Sequence, residues 1–135
     1  MDVITLNNGV EMLILGYGTW ETMPSIIEKN VRMAIELGYR LIDTAQCYGN
    51  EAQVGATILK SGIPRKEFFV ATKTYTNGYR NTLRSIENSL NKLKVGYIDL
   101  LIIHEPIFDN IGIYRALEEA YQEGKVRAIG LSKFL

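Results

Sequence analysis

Four side chains of complementary chemistry stand out in this sequence: Asp43, Tyr48, Lys73 and His104. A phenol titrates near pH ~10 when unperturbed, too high for easy proton donation. A neighbouring ammonium stabilises the phenolate and brings that value down. Lys73 can supply the charge, Asp43 can hold Lys73 by ion pairing, and His104 can donate a hydrogen bond that orients a substrate oxygen. Together they could polarise a carbonyl and protonate its oxygen once a hydride has reached the carbon. Taken singly, each has a commoner use. An Asp after a strand often caps the next loop, Tyr48 is one of 8 tyrosines, Lys73 could be a solvated lysine, and the only histidine could be structural. Cys47 reads as an ordinary small residue, because no second histidine is present to activate it as a nucleophile.

What gives the set weight is where the elements place it. Val3–Leu6 and Val10–Leu15 flank Asn7-Asn8-Gly9 and predict a small hairpin, since Asn-Gly favours the positive backbone angles of a tight turn. Leu15–Trp20 reads as a first core strand. Pro24 and Ser25 open a helix with Ile27, Val31, Ala34 and Ile35 on its apolar face, stopped at Gly38. Arg40–Asp43 is a second strand, and Asn50 is placed to cap the helix carrying Val54, Ala56 and Ile58. Phe68–Thr72 is a third strand ending at Lys73. Asn81–Leu93 is the clearest helix, with Leu83, Ile86, Leu90 and Leu93 on one stripe. Ile98–Ile103 is a fourth strand ending at His104. Ile113–Glu123 is a helix with Leu117, Ala120 and Tyr121 inward, and Val126–Leu131 is a fifth strand followed by Ser132.

Strict strand–helix alternation with strands apolar on both sides predicts a parallel sheet covered by helices. An open doubly wound sheet and a closed eightfold barrel both fit. Gly16 and Gly18 are not followed by the third glycine of a dinucleotide fingerprint, so the barrel is favoured. A full barrel typically needs ~250 residues. The expected architecture is therefore a partial (β/α)8 barrel of about five units after an N-terminal β-hairpin, as a single domain over residues 1–135. In parallel α/β folds the chemistry sits at the C-terminal strand ends. Those ends read Trp20, then Asp43 and Tyr48, then Lys73, His104 and Ser132.

Composition narrows the classes. Net charge is +0, from 15 basic and 15 acidic residues, which argues against a nucleic-acid partner. A single cysteine excludes an intrachain disulfide and fits a reducing compartment. No apolar run reaches the ~20 residues of a membrane span, and the N-terminus lacks a signal peptide's basic and apolar regions. The expectation is a cytoplasmic protein with no membrane partner and no metal.

Over nearly its whole length the chain resembles the N-terminal half of an aldo-keto reductase. The matching segments occur in order: Leu6–Gly9, Leu15–Trp20, Gly38–Ala45, Tyr48–Glu51, Phe69–Lys73, Tyr97–His104 and Gly124–Ser132. The resemblance implies a catalytic tetrad of Asp43, Tyr48, Lys73 and His104, with Tyr48 as general acid, reducing aldehydes and ketones with NADPH. It implies that Gly18, Thr19 and Trp20 line the cofactor and substrate pocket, that Asp43 also belongs to the cofactor side, and that Ser132 contacts the nicotinamide carboxamide. Trp20, Tyr48 and His104 would meet a small carbonyl substrate.

Two departures from the family pattern bear on function. Lys133 stands where the family has an asparagine, and lysine has no acceptor to replace the amide's two-way bonding. The sequence also stops at Leu135, after the fifth strand. Three strand–helix units that hold most adenosine and 2′-phosphate contacts in the family are thus expected to be absent. Bare apolar strand edges invite pairing, so self-association or a complementing chain is expected. Two functional readings follow: an NADPH-dependent carbonyl reductase, or a non-catalytic half-barrel acting as an assembly or interaction module.

Overall fold

The computed structural model describes all residues, Met1–Leu135. It resolves the alternation into a two-stranded antiparallel hairpin and a five-stranded parallel sheet. The hairpin pairs β1 (Val3–Thr5) with β2 (Glu11–Leu13). Its turn places Gly9 at a φ of 86°, a region glycine enters without steric cost. The sheet runs β3 (Gly16–Gly18), β4 (Leu41–Asp43), β5 (Phe69–Thr74), β6 (Ile98–Ile103) and β7 (Val126–Leu131), each strand bonded to the one before it in the chain. Helices α1 (Pro24–Glu36), α2 (Glu51–Lys60), α3 (Tyr79–Leu93) and α4 (Asn110–Gln122) make the crossovers. No helix is long and apolar enough to cross a membrane.

Alternation along the strands builds two apolar layers. Ile42, Val70, Leu101 and Ile103 face the helices and pack with Ile27, Val31, Val54, Ile86 and Leu117. Leu41, Phe69, Ala71, Leu100 and Ala128 form the other face and meet Leu6, Val10, Met12 and Leu13 of the hairpin segment. The hairpin thus covers one side of the sheet while the helices cover the other. Its turn is pinned to the far strand, where Asn8 Nδ2 donates to the Arg127 carbonyl at 2.9 Å.

Several elements differ from the sequence expectations for identifiable reasons. β5 runs on to Thr74 because Lys73 and Thr74 still pair with Ile102 and Ile103 of β6, so Lys73 lies inside the strand. The first core strand is confined to Gly16–Gly18. α4 starts at Asn110, not Ile113, because the Asp109 carboxylate accepts the Gly112 N–H at 2.9 Å and caps the first turn. Asn50 stands at the N-cap of α2, as expected, but its side chain makes no capping bond; it is committed to threonines described below. Tyr121 is exposed, not inward. On α3 the buried face is Thr82, Ser85, Ile86, Ser89 and Leu93, with Leu83 and Leu90 only partly covered.

Small residues let α2 and α3 approach closely. A methyl added at Gly55 would collide with the backbone carbonyl of Leu93. Gly55→Ala is expected to lower stability by about 1–3 kcal/mol, read as a lower urea midpoint at unchanged slope; an unchanged midpoint would show the helices can separate freely.

The sheet has two terminal strands. β3 and β7 each pair on one side only. Beside β7, a groove of about 340 Å³ is lined by Ile103, Ile111, Tyr114, Leu131 and Phe134 among others.

Candidate active site

Asp43 and Lys73 lie at the C-terminal ends of neighbouring strands. Asp43 is in register with Ala71, two residues before Lys73, so both side chains leave the sheet on the face that carries Leu41 and Phe69. There Lys73 Nζ donates to Asp43 Oδ1 at 2.8 Å, to Asp43 Oδ2 at 2.7 Å and to the Thr44 carbonyl at 2.9 Å. An ammonium has three donors and no acceptor, so this cradle satisfies it in full and fixes the direction of its charge.

Tyr48 closes a 3-10 turn at Gln46–Tyr48, which ends on Gly49 at a φ of 71°. Its ring centroid lies 5.2 Å from Lys73 Nζ. On its other side the ring stands edge-on to His104, with centroids 5.9 Å apart at 81°. His104 follows β6 and its backbone N–H donates to the Thr74 carbonyl at 3.3 Å. Tyr75 also stands edge-on to the imidazole, at 5.7 Å and 73°. Cys47 Sγ lies 3.4 Å from His104 Nδ1. The structure therefore brings Asp43, Tyr48, Lys73 and His104 into one continuous cluster at the sheet's C-terminal edge. The Tyr48 hydroxyl bonds to no protein group, which leaves it free to bond a ligand.

Burial pushes the His104 imidazole below its ordinary value of 6.5, and the positive charges of Lys73 and Lys133 push the same way against Glu105 and Asp43. The folded ring is therefore neutral at pH 7. Between 6.5 and the lower folded value, the unfolded chain binds a proton that the folded chain does not. Stability is expected to fall as the pH drops through that window and to level off below it. Urea midpoints across pH would show the slope, and His104→Gln would remove it; a midpoint that rises on acidification would reverse the sign.

A buried polar scaffold sets the loop geometry. Thr44 Oγ1 donates to Asn50 Oδ1 at 2.6 Å, and Asn50 Nδ2 donates to the carbonyls of Thr19 at 3.0 Å and Thr22 at 3.3 Å. Thr19 is fully buried, and both its hydroxyl and its N–H donate to the Asp43 carbonyl at 3.0 Å. Thr19 thus has its polar groups committed to holding β3 against β4. Glu51 accepts from Thr72 Oγ1 at 2.8 Å beneath the site. Gln46 joins three elements: its amide donates to the Ser85 carbonyl and to Ser89 Oγ, and its carbonyl oxygen accepts the Tyr75 N–H at 3.0 Å. Sequence reasoning missed Gln46, the Thr44 carbonyl and Tyr75; only the closeness of Gln46 to Tyr48 in the chain hinted at any of them.

The remaining expected residues surround this cluster. Gly18 ends β3, with open space where a side chain would project. Trp20 is 67% exposed at the end of that strand. Ser132 follows β7, its N–H donating to the Ile103 carbonyl at 3.0 Å, and no protein group bonds its hydroxyl. Lys133 adopts a φ of 62°, a left-handed conformation in which asparagine is enriched. Its Nζ lies 3.8 Å from the Glu105 carboxylate.

A family model described as "Aldo/keto reductase family" matches residues 13–135. The chain belongs to the aldo/keto reductase family. Among relatives, it is 47% identical to a 9,11-endoperoxide prostaglandin H2 reductase of Trypanosoma cruzi, over 97% of this chain and 48% of the relative. It is 43% identical to a glyoxal reductase of Bacillus subtilis, over 98% of this chain and 50% of the relative. A crystal structure of an aldo/keto reductase from Brucella melitensis superposes with a TM-score of 0.96 at 39% identity, covering 99% of this chain and 53% of that one. A Bombyx mori aldo-keto reductase in complex with NADP superposes with a TM-score of 0.89 at 33% identity, over 96% of this chain and 50% of that one. The chain spans about half the length of the relatives it matches.

Proposed function

We propose that residues 1–135 form one domain carrying the proton-donating side of an NADPH-dependent reductase of aldehydes and ketones. The observation that carries this is the fully satisfied Lys73 ammonium, held by Asp43 and Thr44 beside the Tyr48 ring, with His104 against the ring's other side.

The residues present suit the nicotinamide end of the cofactor. Gly18 leaves room for a ring to approach, and the Ser132 hydroxyl is uncommitted and can bond a carboxamide. NADPH, when bound, supplies the hydride that adds to the carbonyl carbon. Tyr48 gives its proton to the carbonyl oxygen, with the Lys73 ammonium beside its ring. His104 orients that oxygen by a hydrogen bond, and Asp43 keeps Lys73 in place. Trp20 meets the substrate at the rim. The expected substrates are small carbonyl compounds, and the expected setting is the cytoplasm.

Titration with NADPH, followed by cofactor fluorescence and a generic aldehyde assay, tests the reading. Saturable binding and turnover are expected; a folded sample that neither binds NADPH nor consumes it would overturn it.

A second reading rests on Lys133 and on the two open strands. In it the chain is a half-barrel assembly module, pairing with a second copy or a complementing chain through β3 and β7. Light scattering after size exclusion is expected to show a dimer or larger species. A monomer that unfolds cooperatively would reject it. NADPH binding separates the two readings, since only the first requires it.

A further inference from the structure

The His104 ring has two nitrogens, and only one arrangement of its proton serves a carbonyl. To donate to a substrate oxygen, the neutral imidazole must carry hydrogen on the nitrogen facing the ligand. The other nitrogen is then an acceptor and needs a donor of its own. In this structure that second nitrogen has a neighbour. Cys47 Sγ lies 3.4 Å from His104 Nδ1, within reach of a weak S–H donor.

We propose that Cys47 is a positioning residue: its thiol donates to His104 Nδ1 and holds the imidazole in the tautomer with hydrogen on Nε2. The role assigned to the Nε2–H rests on the reductase reading above; the tautomer itself does not.

Three further observations support it. Tyr48 and Tyr75 both stand edge-on to the imidazole, at 5.9 Å and 5.7 Å, so two aromatic rings pack against it. Cys47 precedes Tyr48 in the same 3-10 turn, so one short segment places both the phenol and the group that orients the histidine. The charged groups around the ring are Lys73, Lys133, Glu105 and Asp43, and none of them bonds a ring nitrogen. Lys73 is engaged by Asp43 and Thr44, and Lys133 faces Glu105. The thiol is the one protein group in bonding contact with Nδ1. Partial burial also pushes the Cys47 thiol above its ordinary value of 9.0, although the residue is open to solvent on one side. The sulfur therefore keeps its proton at neutral pH and acts as a donor, not as a thiolate.

Because His104 is the only histidine, its ring nitrogens give an unambiguous two-bond 15N–1H correlation spectrum. At about pH 8 the imidazole is neutral. The wild-type protein is expected to show a pyrrole-type Nε2 and a hydrogen-bonded pyridine-type Nδ1. In Cys47→Ala the Nδ1 resonance is expected to shift toward that of an unbonded pyridine-type nitrogen, with the second tautomer appearing. Cys47→Ser, which keeps a donor, is expected to restore both signals. A wild-type spectrum with the proton on Nδ1 would overturn the proposal, as would an Nδ1 resonance identical in wild type and Cys47→Ala. The readout needs neither cofactor nor turnover, so it can fail or succeed separately from the reductase reading.

Discussion

A Tyr48→Phe variant is expected to lose carbonyl reduction by roughly 10²–10⁴-fold, the usual contribution of a positioned general acid. The substitution removes one oxygen and its proton. It leaves the ring that stands beside Lys73 at 5.2 Å and against His104 at 5.9 Å. The Tyr48 hydroxyl bonds to no protein group, so its loss leaves no scaffold donor or acceptor unpaired, and stability should stay within about 0.5 kcal/mol of the parent. The expected pattern is a large fall in turnover with unchanged cofactor affinity and unchanged denaturation midpoint. Turnover equal to the parent would remove Tyr48 from the role of acid. Lys73→Met is a harsher test of the same cluster, because it also leaves the Asp43 carboxylate without its cation.

Asp99→Ala is expected to destabilise the fold by about 3–5 kcal/mol, the cost of breaking a buried ion pair from one side. Asp99 is fully buried. Its Oδ2 accepts from Arg65 at 2.7 Å and from the Val70 N–H at 2.8 Å, and its Oδ1 accepts from Arg127 at 2.9 Å. Arg65 is itself largely covered: it donates to the carbonyls of Val95, Phe68 and Tyr97 and stacks 4.0 Å from the Tyr97 ring centroid. Removing the carboxylate strands a guanidinium and a buried backbone N–H together. Asp99→Asn keeps an acceptor for one of these partners and should cost less than Asp99→Ala. Arg127 is about half exposed, so Arg127→Ala should cost least of the three. Urea unfolding of the series would read this order, and equal effects for Asp99→Ala and Arg127→Ala would contradict it.

The strand ends were legible because an apolar run that stops at a polar residue marks its own limit, as at Asp43 and His104. The parallel arrangement followed from the same patterning, and the hairpin from its Asn-Gly turn, while the face it covers was not legible. Lys73 was read as lying just past its strand because a charged side chain looks like a strand end, yet its backbone still belongs to the β5–β6 ladder and its ammonium is held by Asp43 and Thr44. Asn50 shows a different failure. A local rule makes an asparagine before a helix a cap, but three threonines distant in sequence or beyond the turn offered its amide better-buried partners. The buried serines of α3 were unreadable for a similar reason. Ser89 Oγ accepts from the Gln46 amide, 43 residues away, and Ser85 Oγ donates to the Thr82 carbonyl at 2.8 Å and meets Thr76 Oγ1 at 3.3 Å. Polar residues that satisfy one another across the chain leave no periodic trace, and the inner parts of this site are built from such pairs.

The sheet order repeats the chain order, and this has a consequence for how the molecule assembles. Every strand of the parallel sheet finds its partner one crossover away, so most contacts can form progressively, unit by unit, with modest loop-closure cost. The exceptions are the contacts of the hairpin, which packs on the layer containing Leu100 and Ala128 and whose link from Asn8 to Arg127 spans 119 residues. That link cannot form until β7 is in place. The hairpin is thus expected to dock last, acting as a latch whose closure reports that the fifth strand has arrived, and Asn8→Ala should speed unfolding while leaving the refolding rate nearly unchanged.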